Sequence, residues 1–382
     1  MTTLTGARVV TPTGVLDPGR VEIRGTTIGA VRPDSPAADP SAAGGEDLTG
    51  GWLLPGFIDL HVHGGGGHDV LASPDDLAAA VAYHRSQGTT RTLVSLVTAP
   101  VEDLVEGLGW VADLARCGAR SSGHVLGAHL EGPFLCGPRR GAQHPDHILA
   151  PDPRVLAALL DAGQGWVRTV TLAPEIPGAL DLIDQVVGAG AVAAVGHTEA
   201  TYDQAMAGFS RGARLLTHAY NGMRPPHHRQ PGPVPAALDA QIACEVINDG
   251  IHVHPAAVRL LARDNADRLI LVTDAIAATG IGDGTFSLGG QAVVVRDGQA
   301  RLTAGGALAG STLTMAAAVR RAVVEVGLPV PVAAAAASGN PARLLGIADR
   351  CGAIVPGLDA DLVLLDDAFE LRRVMARGQW VT

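Results

Sequence analysis

Apolar, β-branched runs of strand length recur along the middle of the chain. They are Trp52–His63, Thr89–Thr98, His124–Glu131, Val167–Glu175, Ala191–His197, Ala213–His218, Ile242–Asp249 and Arg268–Asp274. Their apolar character is nearly continuous rather than alternating, the pattern of strands covered on both faces. Helical patterns lie between them. Ser73-Pro74-Asp75-Asp76 opens one, with Ser73 as N-cap, Pro74 at the first helical position and acids in the first turn. Glu199–Arg211, Ala256–Arg263 and Thr312–Glu325 are others. Strands alternating with helices predict an α/β protein with a parallel sheet, and eight such strands close into a (β/α)8 TIM-like barrel.

Polar residues fall at the ends of these runs. His61, His63, Glu131, Glu175, His197, His218, Asp249 and Asp274 all sit there, and each carries a side chain able to bind metal or move protons. In a barrel the C-terminal strand ends converge on one face, where catalysis occurs. His61 and His63, two residues apart, share a face if their segment is a strand.

The chain ends read differently. Short strands are expected at Ala7–Val10, Val21–Arg24 and Thr27–Val31, then a polar linker over Gly44–Gly51. Asp361–Leu365 and Leu371–Met375 repeat that style. Neither end buries a core alone, so both are expected to build one small β-sandwich from residues 1–54 and 350–382, around a barrel spanning 55–349. Gly280–Thr303 reads as hairpins inserted after the eighth strand.

Composition narrows the chemistry. Only 3% of the chain is aromatic against 47% hydrophobic, so Val, Leu, Ala and Ile must fill the core. Apolar stretches fall short of the ~20 residues of a membrane helix, and the N-terminus lacks the pattern of a secretory signal. A net charge of −10 argues against nucleic acid. A soluble, cytoplasmic protein is expected, with no membrane or nucleic-acid partner. Cys117, Cys136, Cys244 and Cys351 show no CxxC spacing and read as reduced thiols. All 28 basic residues are arginine. That excludes a Schiff-base lysine and a carboxylated lysine, so any bridging carboxylate must be Asp or Glu.

The segments LPGFIDLHVHG, HLEGPF, GHTEA, THAYNGM, NDGIHVHP, LVTDAI and ALAGSTLTM, in that order, resemble the N-acetylglucosamine-6-phosphate deacetylases of the amidohydrolase superfamily. The closing PGLDADLVLLD also resembles that superfamily. The resemblance implies the barrel and terminal sandwich already expected, and a homodimer. It implies hydrolysis of the acetamide of N-acetylglucosamine 6-phosphate to glucosamine 6-phosphate and acetate, in amino-sugar catabolism and cell-wall recycling. The galactosamine epimer, or another metal amidohydrolase of the superfamily, is the alternative.

The resemblance assigns residues as well. Glu131, His197 and His218 are the main metal ligands. One carboxylate and two imidazoles with an open position form a recognised catalytic zinc set. Members that keep His-x-His hold a second ion, so His61 and His63 predict a site for one or two divalent metals bridged by Glu131. Zinc is the first choice, with iron, manganese and cobalt also compatible with these ligands. Asp274 is the catalytic aspartate, taking a proton from water and giving it to the leaving amine. Asn221, Gly222, Arg229 and His252 match phosphate- and sugar-binding positions, with Arg229 lent across the dimer interface. Ala142, Gln143, Leu308, Ala309 and Gly310 match two substrate-contact loops. Gln143 stands where some members carry a histidine that polarises the acetyl carbonyl. His129 shares a face with Glu131 and reads as a core histidine.

Overall fold

The computed structural model describes residues 2–34, 45–117 and 124–381. Gly44, the first residue of the expected linker, lies outside them. Eight parallel strands run in sequence order around one sheet: Phe57–Asp59, Thr89–Val97, His124–Glu131, Val167–Leu172, Val192–Val195, Leu215–Leu216, Ala243–Ile247 and Leu269–Val272. Helices cross back between them, so both faces of each strand are covered. This explains the absence of alternation; every residue of Thr89–Val97 is buried. Leu93, Leu130, Val170, Leu216, Val246 and Leu271 belong to one contiguous apolar core.

The helices begin where capping chemistry allows. Ser73 Oγ accepts the Asp76 N–H at the start of Pro74–Ser86. The helix expected from Glu199 starts instead at Tyr202, because Thr201 and Gln204 form a reciprocal capping box. Glu199 is thereby left outside the helix, paired with Arg139 and Arg224.

The expected strand Trp52–His63 is two strands. Trp52–Pro55 belongs to the terminal sheet and Phe57–Asp59 to the barrel. The chain changes sheet at Gly56, where a Cβ would come within 2.4 Å of Thr90 Oγ1. His61 and His63 follow the barrel strand. There the seam between first and eighth strands is stitched by the Val62–Ala275 bridge and by the Asp274 N–H donating to the His61 carbonyl at 2.8 Å. Beneath it the buried Asp59 accepts from the Thr273 N–H and hydroxyl.

Both chain ends join one mostly antiparallel sheet. Within the expected linker, Glu46–Asp47 is a short strand parallel to Thr2–Thr11. Asp47 is exposed, whereas the half-buried Glu46 carboxylate pairs with Arg373 and accepts from Trp380 Nε1. Leu4, Val21, Ile28, Leu53, Leu362 and Met375 form a second core. The Ile28 N–H donates to Leu358 and the Ala360 N–H to Thr26, so the sheet folds over that core. Arg91, in the second barrel strand, is buried against Asp359 and Asp361 and ties the two units together.

The insertion after the eighth strand is a three-stranded antiparallel sheet, Gly284–Leu288, Gln291–Arg296 and Gln299–Leu302. It packs on Val97 and Ile276 beside the barrel mouth. Among the described residues no helix is long and apolar enough to cross a membrane.

Candidate metal centre and active site

Glu131 ends the third barrel strand and is buried between two pairs of histidines. Its Oε1 lies 3.0 Å from Nε2 of both His197 and His218, and 3.3 Å from His61 Nε2. Its Oε2 lies 3.3 Å from His63 Nε2. Within each pair the Nε2 atoms face one another, at 3.0 Å for His61 and His63 and 3.1 Å for His218 and His197. Asp274 Oδ1 completes the cluster, 3.2 Å from His63 Nε2.

The remaining ring nitrogens explain this convergence. His63 Nδ1 lies 2.9 Å from the Ser95 carbonyl, His197 Nδ1 3.0 Å from the Arg139 carbonyl, and His61 Nδ1 3.3 Å from Glu245 Oε2. Oxygen acceptors at Nδ1 put the proton there and leave the Nε2 lone pairs aimed inward. Lone pairs aimed at each other repel unless a cation or proton sits among them. Two donor sets therefore fit divalent ions: Glu131, His197 and His218; and His61, His63 and Asp274. Within each set the ligand atoms lie within 4.8 Å of one another.

The protonation tendencies agree. Burial works against charge on Glu131, His61, His63 and Asp274, yet mutual attraction wins. Burial would raise the Glu131 carboxyl, but His61, His197 and His218 hold it well below its ordinary value. Burial would lower His63, but Asp274 and Glu131 raise it to about 9. His61 is raised well above its ordinary value against the same burial, by Glu131 and Asp274. Asp274 is held below its ordinary value despite burial, by His61 and His63. It is therefore a carboxylate at neutral pH, the form a proton acceptor needs.

Backbone conformation concentrates here too. His197, His218 and Asp274 have φ of +45°, +30° and +51°. Such non-glycine conformations cost about 1–3 kcal/mol each and gather at functional sites. Gly222, at φ +58°, lies so close that a Cβ would sit 2.9 Å from His197 Nδ1.

A cavity of about 510 Å³ opens onto the cluster. It is lined by His63, Glu131, His197, His218 and Asp274, and by the expected contact residues Ala142, Gln143, Asn221, Gly222, His252, Leu308 and Gly310. His252 is oriented by Asp249, whose Oδ2 lies 2.6 Å from its Nδ1. Gln143 has a second role, donating its amide to Glu131 Oε2 at 2.6 Å.

The remaining candidates fall outside the cavity. Ala309 does not line the cavity; it is fully buried in the core of the inserted sheet. Arg229 lies outside the cavity of its own chain, on an exposed loop beside His228. Glu175 lies beyond its strand and faces away from the centre. It accepts from the Thr198 hydroxyl and Glu199 N–H, bracing the loop after His197. Asp249 is likewise past its strand and serves His252. His129 is a core residue between Ser95 and Thr171 hydroxyls, its pKa held well below the ordinary value by burial.

Glu245 and Arg139 belong to the site and escaped the sequence reading. Glu245 had a signal, a lone carboxylate inside the apolar strand Ala243–Ile247. Arg139 had none; it lines the cavity and acts through its carbonyl on His197.

Residues 52–381 match the amidohydrolase family model. The chain is 37% identical over 378 residues to an N-acetylgalactosamine-6-phosphate deacetylase of Escherichia coli O157:H7, covering 98% of each chain. It is 37% identical over 331 residues to an N-acetylglucosamine-6-phosphate deacetylase of Vibrio furnissii, covering 86% of this chain and 82% of that one. Among solved structures, it superposes with a TM-score of 0.94 and 42% identity on a mutant N-acetyl-D-glucosamine-6-phosphate deacetylase from Mycobacterium smegmatis in complex with N-acetyl-D-glucosamine-6-phosphate. That match covers 100% of this chain and 99% of the other.

Proposed function

Because the chain belongs to the N-acetylglucosamine-6-phosphate deacetylase family of the amidohydrolase superfamily, we propose that it hydrolyses the acetamide of N-acetylglucosamine 6-phosphate. The products are glucosamine 6-phosphate and acetate, a step of amino-sugar catabolism. The observation that carries this is Asp274, an ionised carboxylate that sits with His61 and His63 beside the Glu131, His197 and His218 set at the wall of a sugar-sized cavity. A divalent cation on these ligands supplies Lewis acidity, activating water and polarising the amide carbonyl.

The chain's own residues do the rest. Glu131, His197 and His218 would hold one ion, and His61 and His63, with Asp274 and Glu131 beside them, would hold a second; zinc suits both donor sets. Asp274 takes a proton from the attacking water on its carboxylate. It then gives that proton to the amide nitrogen as the C–N bond breaks, so the amine leaves neutral. Gln143 holds Glu131 still. Asn221 and His252 offer hydrogen-bond donors to the sugar phosphate, and Arg229 reaches the phosphate from the second subunit of a homodimer, its planar fork suiting two oxygens. A charged sugar phosphate does not cross a membrane unaided, so the enzyme works in the cytoplasm.

The near full-length similarity to the Escherichia coli protein favours a second reading, the galactosamine epimer as substrate. Acetate release from N-acetylglucosamine 6-phosphate tests the function. It should occur, stop on chelation and return with added divalent metal. Folded, metal-loaded protein that releases no acetate from either epimer's 6-phosphate overturns the reading.

A further inference from the structure

Glu245 lies in the middle of the seventh barrel strand, between Cys244 and Val246, both fully buried. It is itself only 1% exposed. A carboxylate is costly in such a place unless something compensates it. Its Oε2 has two partners in the barrel mouth, His61 Nδ1 at 3.3 Å and the His218 backbone N–H at 3.3 Å.

The four cluster imidazoles are supported unequally. His63 and His197 rest on backbone carbonyls. His218 Nδ1 is buried with no hydrogen-bond partner. His61 is the one whose outer nitrogen meets a side-chain carboxylate. A carboxylate behind an imidazole fixes the Nδ1–H tautomer, locks the ring and makes Nε2 a stronger donor. His61 Nε2 is the atom that faces His63, Glu131 and Asp274.

We propose that Glu245 is the positioning residue that makes His61 a metal ligand, and so supports occupancy of the second ion site; this rests on the two-ion reading above. Glu245 also braces the His218 backbone, but that residue's ring receives nothing from it. Its removal therefore weakens the His61–His63 site far more than the Glu131–His197–His218 site.

The test is metal stoichiometry and affinity by chelator competition, on wild type, Glu245→Gln and Glu245→Leu, with zinc alone as the probe. Gln still accepts from Nδ1–H but carries no charge; Leu does neither. Wild type should bind two ions per chain. The second should weaken about 10–100-fold in Glu245→Gln, and further in Glu245→Leu, while the first changes little. Glu245→Gln is nearly isosteric, so it decides the matter if Glu245→Leu does not fold. Two ions bound as tightly in the folded Gln variant as in wild type overturn the role of Glu245 alone. A wild type that never exceeds one ion overturns the two-ion reading and this proposal with it.

Discussion

Gln143 donates its side-chain amide to Oε2 of Glu131 at 2.6 Å, while its own Oε1 accepts the Thr98 backbone N–H at 2.8 Å. The second bond fixes which end of the amide faces the carboxylate. One hydrogen of the NH2 group holds Glu131, leaving the other for the proposed substrate. A hydrogen bond to a charged group contributes about 1.5–3 kcal/mol. Gln143→Ala should therefore weaken metal binding about tenfold or more, with a smaller effect on folding. Chelator competition checks this; unchanged metal affinity would confine Gln143 to substrate contact.

Asp274 is the proposed proton carrier, and Asp274→Asn keeps its shape while removing its basicity. The variant should fold, retain the ion on Glu131, His197 and His218, and lose roughly 10²–10⁴ in kcat. A variant with substantial turnover would remove Asp274 from the chemistry.

In the proposed two-ion site, His61 and His63 decide between one ion and two. Replacing both by Asn should lower the saturated metal content by one ion per chain and leave the ion on Glu131, His197 and His218 in place. Activity should fall strongly, since the second cation stands in for the positive charge that Gln143 cannot offer. Activity near wild type would show that the second site is dispensable.

The loop after His63 should be acid-sensitive. His84 is buried and its Nε2 donates to the Gly64 carbonyl at 2.8 Å. Burial lowers its pKa to about 4, against 6.5 unfolded. Between those values the unfolded chain binds the extra proton, so stability present above pH 6.5 is lost as pH falls, by up to about 1.4 kcal/mol per unit. Below about 4 this group contributes no further change. Melting temperature should drop more steeply across that window in wild type than in His84→Leu. Equal slopes would contradict a buried neutral His84.

Much of the architecture was legible because each barrel strand is covered on both faces and announces itself as an apolar run. The residues at the strand ends stood out for the same reason. What was hidden depended on contacts distant in sequence. The break at Gly56 reflects crowding by Thr90 from the neighbouring strand. Glu175 and Asp249 had the right chemistry just beyond a strand, but loop N–H groups captured their carboxylates, that of Glu199, distant in sequence, for Glu175 and that of nearby His252 for Asp249. Ala309 sits in a contact loop whose neighbours Leu308 and Gly310 face the cavity, yet its own methyl packs into the inserted sheet. Arg139 matters partly through a carbonyl that every residue type possesses, so no sequence pattern marks it.

The phosphate assignment separates this account from any general amide hydrolase. Deacetylation should be measured on N-acetylglucosamine and N-acetylgalactosamine, each with and without the 6-phosphate, using metal-loaded protein. Acetate release from N-acetylglucosamine 6-phosphate should be rapid, and rates on both unphosphorylated sugars lower by about 10²-fold or more, as a site built for charge-assisted hydrogen bonds loses when its partner is missing. A preference for the galactosamine phosphate would reassign the epimer and keep the site. Equal rates with and without phosphate would contradict the roles given to His252 and Arg229, and with them the sugar-phosphate reading.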